Sequence, residues 1–261
     1  MQPEPPTGHW HEDYERGRPG WPAEVVGVGR VPASATVLEL GAGTGKLTRL
    51  LVDRFDHVVA VEPAEGMLAL LRQACPMADI RQGGAEAIPV ETGSVDAVYA
   101  AESFHWFDGA RAIPEIERVL RPQGILVLMW NVPGGPTEPS TAEAERLLTD
   151  AAPPRDELGY DPVDLNGTRF SSGAWREPFA GSGFEQLQEL QIANPQTLER
   201  AALLALYESM GWFGGLPKGR RRELLEQVGA LLPADEYRQA WETRLFWTRR
   251  RPSPRACRPP Q

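Results

Sequence analysis

Between residues 36 and 130 short apolar runs alternate with stretches of helical spacing, and this rhythm constrains the fold more than any other feature of the chain. The runs are TVLEL (36–40), HVVAVE (57–62), the more polar ADIRQ (78–82), VDAVYAA (95–101) and GILVLMW (124–130). Between them lie LTRLLVDR (47–54), MLALLRQA (67–74) and ARAIPEIERVL (110–120). A strand that is apolar on both faces has no solvent side, which is the pattern of a parallel sheet covered by helices. Strands alternating with helices wind through right-handed crossovers into a doubly wound α/β sheet. Ahead of this region a helical segment is expected from Pro22. After Asn131 the rhythm breaks. There the sequence predicts helices over 141–151, 197–210 and 219–231, a strand over 184–192 and a last strand over 243–250.

Charge and cysteine content narrow the function classes. The formal net charge is −9, which argues against a nucleic-acid partner, because phosphate contacts need clustered Lys and Arg. Only Cys75 and Cys257 are present, so no disulfide framework or Cys-based zinc site is expected, and the four scattered histidines show no metal-ligand spacing. The amino-terminal residues lack a cationic flank followed by an apolar run, and no stretch nears 18 continuous apolar residues. A cytoplasmic protein with no membrane contact is the expectation. At 261 residues the chain exceeds one typical domain and falls short of two.

The residues Glu39-Leu40-Gly41-Ala42-Gly43-Thr44-Gly45 join the first strand to its helix, at the strand's carboxyl end, where such sheets bind ligands. Glycine there admits positive φ and close approach of a ligand to the backbone. The dinucleotide fingerprint G-x-G-x-x-G would need glycine at Lys46, and a Walker A loop would need glycine at Leu40 and Ser or Thr at Leu47. The pattern E-x-G-x-G-x-G is matched throughout. Glu62 ends the second strand 17 residues after Gly45, a position from which a carboxylate can accept from both hydroxyls of a ribose. Gly83-Gly84-Ala85-Glu86 follows the third strand as a small-residue loop able to flank a planar base.

The run from Glu39 to Gly45, then Glu62, Ala85-Glu86 and VDAVYAAESFHWF, resembles the class I S-adenosylmethionine-dependent methyltransferases over roughly residues 36–130. Tyr14 followed by Arg18-Pro19-Gly20-Trp21-Pro22, and Phe104-His105-Trp106-Phe107-Asp108, are similar to a small-molecule subgroup that includes trans-aconitate methyltransferase-like enzymes with a methyltransferase type 11 domain. ERVLRPQGIL (117–126) is similar to the family's R-x-L-(K/R)-P-G-G segment, with Gln123 in place of its first glycine.

The resemblance implies a Rossmann-like fold, a seven-stranded, mostly parallel sheet with an antiparallel last strand and a helical cap. It implies one methyltransferase domain over 1–251, with an N-terminal lid (1–30), a cofactor-binding core (36–131), a cap and late strand (132–240) and the last strand (241–250), before a disordered tail (252–261). In that family Gly41, Ala42, Gly43 and Gly45 would support the methionine part of S-adenosylmethionine, with Glu39 a partner for its ammonium. Glu62 would hold the ribose, Pro63 and Met67 would pack near the adenine, and Ala85 and Glu86 would meet its edge. Ala101 or Glu102 would lie near the sulfonium, and Tyr14 and Arg18 would come from the lid. His105 is the histidine beside the site, as base, substrate contact or loop brace. Trp106, Trp130, Trp175 and Trp212 suit an apolar or planar acceptor, and Arg169 or Arg176 could bind a carboxylate. The implied activity is methyl transfer to a small molecule, with oxygen the leading acceptor atom. An RNA or protein methyltransferase and a non-catalytic S-adenosylmethionine-binding protein are the alternatives.

Overall fold

The computed structural model describes residues 10–154 and 172–252. Along the chain come α1 (Trp10–Gly17), a 3-10 segment (Ala23–Arg30), β1 (Thr36–Leu40), α2 (Lys46–Arg54), β2 (His57–Glu62), α3 (Glu65–Ala74), β3 (Asp79–Gln82) and β4 (Val95–Ala101). A 3-10 turn (Phe104–Trp106), α4 (Gly109–Val119), β5 (Leu120–Pro133), α5 (Pro139–Ala151) and a 3-10 segment (Ala174–Phe179) follow. The chain continues with β6 (Gln188–Ala193), β7 (Gln196–Glu199), α6 (Arg200–Glu208), a 3-10 turn (Phe213–Gly215), α7 (Lys218–Ala230), β8 (Glu236–Gln239) and β9 (Trp241–Arg249). Two compact units are present. A sheet unit comprises Pro22–Trp130, Gly173–Leu190 and Arg244–Gln261, and a helical unit comprises Met1–Trp21, Asn131–Ser172 and Gln191–Thr243. The expected tail beyond Pro252 and the Arg169 position lie outside the described residues. No helix among the described residues is long and apolar enough to cross a membrane.

The seven-stranded sheet has the order β3-β2-β1-β4-β5-β9-β6. β1 runs parallel to β2, from Thr36 opposite His57 to Leu40 opposite Val61, and parallel to β4, with Val37 opposite Ala97. Four of the five β1 residues and five of the six β2 residues are buried, as their continuous apolar character predicts. β9 alone runs the other way. Arg250, directly after β9, meets Gln123 and Gly124 near the start of β5, while Thr243 meets Asn131 toward the end of that strand. The chain leaves β1 for β2 and β3 on one side and returns to β4 on the other. Sheets of this kind bind their ligands at such a reversal, here the carboxyl ends of β1 and β4.

The helical segment expected from Pro22 is present as a 3-10 segment, and it kinks where Val28 and Gly29 leave helical geometry, Gly29 with a φ of 72°. Other elements differ from the sequence expectation. Residues 197–199 are strand rather than helix: Thr197 and Leu198 pair with Arg238 and Tyr237 of β8, and that tertiary pairing overrides the helical run that follows. The strand expected from residue 184 begins at Gln188, with only a single bridge from Phe184 to Arg250 before it.

The helical unit has its own apolar core, built from Ala144 and Leu148 of α5, Leu203, Leu206 and Tyr207 of α6, and Leu224 and Val228 of α7. Within it α1 lies so close to α6 that a Cβ at Gly17 would collide with the Leu206 backbone.

The start of β5 carries a local strain. Opposite β4 the register jumps from Val95–Leu120 to Ala97–Ile125, and the intervening residues bulge outward. Gln123 sits at the tip with a φ of 67°, a left-handed conformation that costs an L-residue about 1–2 kcal/mol. The position where the family pattern carries glycine therefore demands glycine-like geometry, and Gln123 offsets part of the strain by donating from its side chain to the Arg250 carbonyl at 3.3 Å. Gln123→Gly is expected to stabilise the protein by about 1 kcal/mol or less, seen as a higher melting temperature. A lower one would show that the side-chain bond outweighs the strain.

Candidate cofactor and acceptor site

In the sheet unit the β1–α2 loop is built by three glycines, Gly41, Gly43 and Gly45, all with positive φ. Packing explains Gly41, since a Cβ there would lie 2.6 Å from the Ser103 Cβ. It does not explain Gly43, where a Cβ would meet nothing within 4 Å. At that point the loop borders open space. The Gly41 and Ala42 N–H groups both donate to the Val61 carbonyl, at 2.8 and 3.1 Å, which ties the loop to the end of β2.

Glu62, the last residue of β2, completes that tie. One carboxylate oxygen accepts from the Gly43 N–H at 2.9 Å and the other from the Ala64 N–H at 3.0 Å. Burial pushes this carboxyl above its ordinary range, while the Ala64 and Gly43 N–H groups pull it back. Each oxygen keeps lone-pair capacity for a further donor. Glu39 is buried in β1 at 1% exposure and accepts from the Thr48 hydroxyl at 2.6 Å. Burial raises its pKa from 4.5 to about 8; the Thr48 bond and Arg49 lower it, and the nearby Glu62 raises it further.

The remaining positions in this unit surround the same strand ends. Met67 and Ala85 are buried, and Pro63 is exposed. Glu86 accepts from the Asp108 N–H at 2.8 Å, joining the loop after β3 to the start of α4. Ala101 ends β4, and Glu102 follows it with a φ of 50°, its N–H on the Met129 carbonyl at 2.9 Å. A left-handed residue other than glycine at a strand end is the type of local strain that collects at functional sites. Ser103, which the sequence reading missed, is buried and donates to the Leu40 carbonyl at 2.8 Å, so it pins the β4 loop to the β1 loop. Its only sequence signal is its place directly after the fourth strand.

His105 is 6% exposed, and its Nδ1 accepts from the Trp130 indole N–H at 3.0 Å. Trp130 is fully buried and lies 4.9 Å, ring to ring, from Trp175, itself buried, with Arg176 stacked 4.3 Å over the Trp175 ring. Trp106 is different: it is 45% exposed, with its ring 4.8 Å from His105. Of the tryptophans singled out in this unit, Trp106 has the surface to meet an acceptor, while Trp130 and Trp175 meet the aromatic packing around Phe246.

In the helical unit the Arg18 guanidinium lies 5.3 Å over the Tyr14 ring and donates to the Ser209 hydroxyl at 2.9 Å and its carbonyl at 3.1 Å. Trp212 is buried in that unit's core against Phe213. The Gly20 carbonyl accepts from the side-chain amides of Asn131, Asn194 and Gln196 at 2.9–3.1 Å, an anchor for the N-terminal segment that no motif signalled.

A glycine loop at a topological switch point, with an acid held at the next strand's end, defines a nucleotide-type ligand site on an α/β sheet. Comparison with known proteins gives the class. Residues 38–128 match the family model described as a methyltransferase domain. An uncharacterised methyltransferase of Mycobacterium tuberculosis is 39% identical over 219 residues, covering 84% of this chain and 82% of the relative. A malonyl-[acyl-carrier protein] O-methyltransferase of Methylococcus capsulatus is 34% identical over 206 residues, 75% of this chain and 68% of the relative. A trans-aconitate 2-methyltransferase of an Azoarcus species is 36% identical over 184 residues, 67% of this chain and 68% of the relative. In fold the chain is similar to a candidate type II methyltransferase from Anaeromyxobacter dehalogenans, with a TM-score of 0.66, 24% identity, and coverage of 90% of this chain and 99% of that one. The chain belongs to the class I S-adenosylmethionine-dependent methyltransferases, so it is an enzyme and S-adenosylmethionine is its cofactor.

The buried Glu39 makes the protein without cofactor sensitive to pH. Its folded-state pKa is raised, so the folded chain holds a proton that the unfolded chain releases above pH 4.5, and stability falls as pH rises from there through about 8. Glu39→Gln keeps the shape and removes the titration. Its melting temperature relative to the wild type is expected to climb between pH 5 and 8; parallel curves would show that Glu39 ionises without cost.

Proposed function

We propose that the chain transfers the methyl group of S-adenosylmethionine to an oxygen of a small-molecule acceptor, working as a single elaborated domain over residues 1–251 in the cytoplasm. One relative is named for trans-aconitate, a small acid, and another is by name an O-methyltransferase of malonyl-[acyl-carrier protein]. The net charge of −9 disfavours an RNA substrate. The observation that carries the cofactor assignment is the Gly43–Glu62 pair: a left-handed glycine bordering open space, with its N–H locked to a strand-end carboxylate.

Bound S-adenosylmethionine supplies a methyl group on a positively charged sulfur, open to in-line displacement. In this reading Gly41, Ala42, Gly43 and Gly45 bear its methionine part, and Glu39 meets the ammonium. Glu62 accepts from the ribose hydroxyls while Gly43 and Ala64 hold it in place. Pro63, Met67, Ala85 and Glu86 border the base. Ala101 and Glu102 border the reacting end, and Tyr14 and Arg18 belong to the lid. His105 and Trp106 address the acceptor; Trp130, Trp175 and Trp212, the weaker contacts of the sequence reading, are buried and pack against other aromatic rings. The protein's main task is alignment, which for well-oriented groups is worth about 7–11 kcal/mol.

Calorimetric titration with S-adenosylmethionine is expected to show saturable binding by the wild type and none by Gly43→Arg, whose side chain fills the open space; equal binding would remove the loop from the site. With methyl-labelled cofactor and a cell extract, the label is expected in small organic-soluble products. Label appearing only in RNA or protein would overturn the small-molecule assignment.

A further inference from the structure

Helix α4 grips the loop after β3 at both of its ends. At its amino end the N–H of Asp108, the N-cap residue, donates to Glu86 Oε1 at 2.8 Å. Toward its carboxyl end the Arg118 guanidinium commits all five of its N–H donors. Its fork meets Glu115, Nε on Oε1 and Nη2 on Oε2, both at 2.8 Å. The others go to the Ile88 and Val90 carbonyls, each at 2.9 Å, and to the Thr92 hydroxyl at 3.4 Å. Glu115 in turn accepts from the Ile88 N–H at 2.9 Å. Arg81 of β3 holds the carbonyl between those two, that of Pro89, at 2.6 Å. Three successive carbonyls therefore end on guanidinium groups. The other flank of the loop is tied to β2. The Gly83 N–H donates to the Glu62 carbonyl and the Gln82 side-chain amide to the Pro63 carbonyl, both at 3.3 Å. Ala85 and Glu86 stand between these two fixed flanks.

We propose that Arg118, braced by Glu115, is a positioning residue that sets the Glu86 carboxylate for the base of the cofactor, and so decides which base the enzyme accepts. The inference rests on the methyl-transfer reading above and deepens it. Glu86 spends one oxygen on the Asp108 N–H. Its Oε2 lies over Gly84, 3.1 Å from where a Cβ would stand, and keeps lone pairs for a further donor. A carboxylate has only acceptors to offer. It suits a base with an exocyclic amine, as in adenine, and repels one with a carbonyl oxygen in that place, as in hypoxanthine. A site that relies on such a bond rejects the analogue lacking the N–H, because its own polar group is left unpaired. The rejection is only as sharp as the carboxylate is still. Gly83, Gly84 and Ala85 bring no bulky side chain to stiffen that stretch. The stiffness comes from Arg118, through Ile88 and Val90. Lysine is no substitute there, since one ammonium cannot present a fork to Glu115 and hold two carbonyls as well.

Calorimetry of the full chain with two ligands tests this without turnover. S-adenosylhomocysteine carries adenine, and S-inosylhomocysteine is the same molecule with hypoxanthine. The wild type is expected to bind the first at least about tenfold more tightly, the loss that goes with a missing hydrogen bond to a charged group. In Arg118→Lys, folded by circular dichroism, that ratio is expected to shrink toward one through weaker binding of the adenine ligand. A lower melting temperature with an unchanged ratio would overturn the proposal, since a brace for the fold alone weakens both ligands alike. Glu115→Gln keeps the shape and loses the charge. It is expected to move the ratio the same way by less, and it decides the question if Arg118→Lys does not fold; an unchanged ratio there overturns the proposal too. Glu86→Ala is expected to remove the preference by itself, and adding Arg118→Lys to it should leave the ratio where it is. A further change would show that Arg118 acts by a route other than Glu86. If the wild type binds both ligands equally, the selection of the base fails while the cofactor site stands; if it binds neither, the methyl-transfer site itself fails.

Discussion

The Glu62 carboxylate bridges two backbone N–H groups, those of Gly43 and Ala64, and the geometry of the cofactor loop depends on that bridge. The loop carries three left-handed glycines, and nothing in their conformational preference selects one loop shape over another. The selection comes from outside: the Val61 carbonyl takes the N–H groups of Gly41 and Ala42, and Glu62 takes the next free one at Gly43. β2 thereby templates the loop that follows β1, and the template works because the two strands lie in register up to Leu40 opposite Val61. Ser103 adds a third constraint from β4, with its hydroxyl on the Leu40 carbonyl.

How much of this was legible in the sequence follows from how local each signal is. β2 and β4 begin and end where their apolar runs do, because a strand buried on both faces declares itself residue by residue. The glycine spacing and Glu62 were legible for a similar reason: positive φ and a strand-end acid are demands on single residues. The Trp130–His105 bond joins residues 25 apart, and the three amides on the Gly20 carbonyl come from 111 to 176 residues away, so no local pattern marks them. Residues 197–199 read as helix because they run directly into Leu203, Leu204, Tyr207 and Met210, which recur at helical spacing. Only the pairing with Tyr237 and Arg238, some 40 residues on, makes them a strand.

The two left-handed residues other than glycine near β4 and β5 illustrate a second limit. Gln123 and Glu102 occupy similar backbone regions, and the sequence alone gives them no common mark. Gln123 stands on an exposed bulge at the strand's start, away from the carboxyl ends, where a glycine would serve the backbone better. Glu102 stands at the carboxyl end of β4, directly before Ser103, where its strained backbone turns the chain out of the sheet and its N–H is held by the Met129 carbonyl. Strain at the first position marks a tolerable departure from the family pattern; at the second it sets the direction in which the Ser103–Phe107 segment leaves the sheet.

The acids beside the loop make the empty and the filled site electrostatically different. Glu39 is held neutral at pH 7 by burial and by the nearby Glu62, a cost the fold carries when no cation is present. In the proposed reading the ammonium group of the cofactor meets Glu39, and an opposite charge within about 4–6 Å favours the ionised form. Binding would then release a proton from Glu39 as the ion pair forms in a buried setting. Cofactor affinity would rise with pH up to the range where free Glu39 ionises, while the stability of the cofactor-free fold falls over the same range. The two trends have one cause, a carboxyl placed where it is badly solvated until its cation arrives.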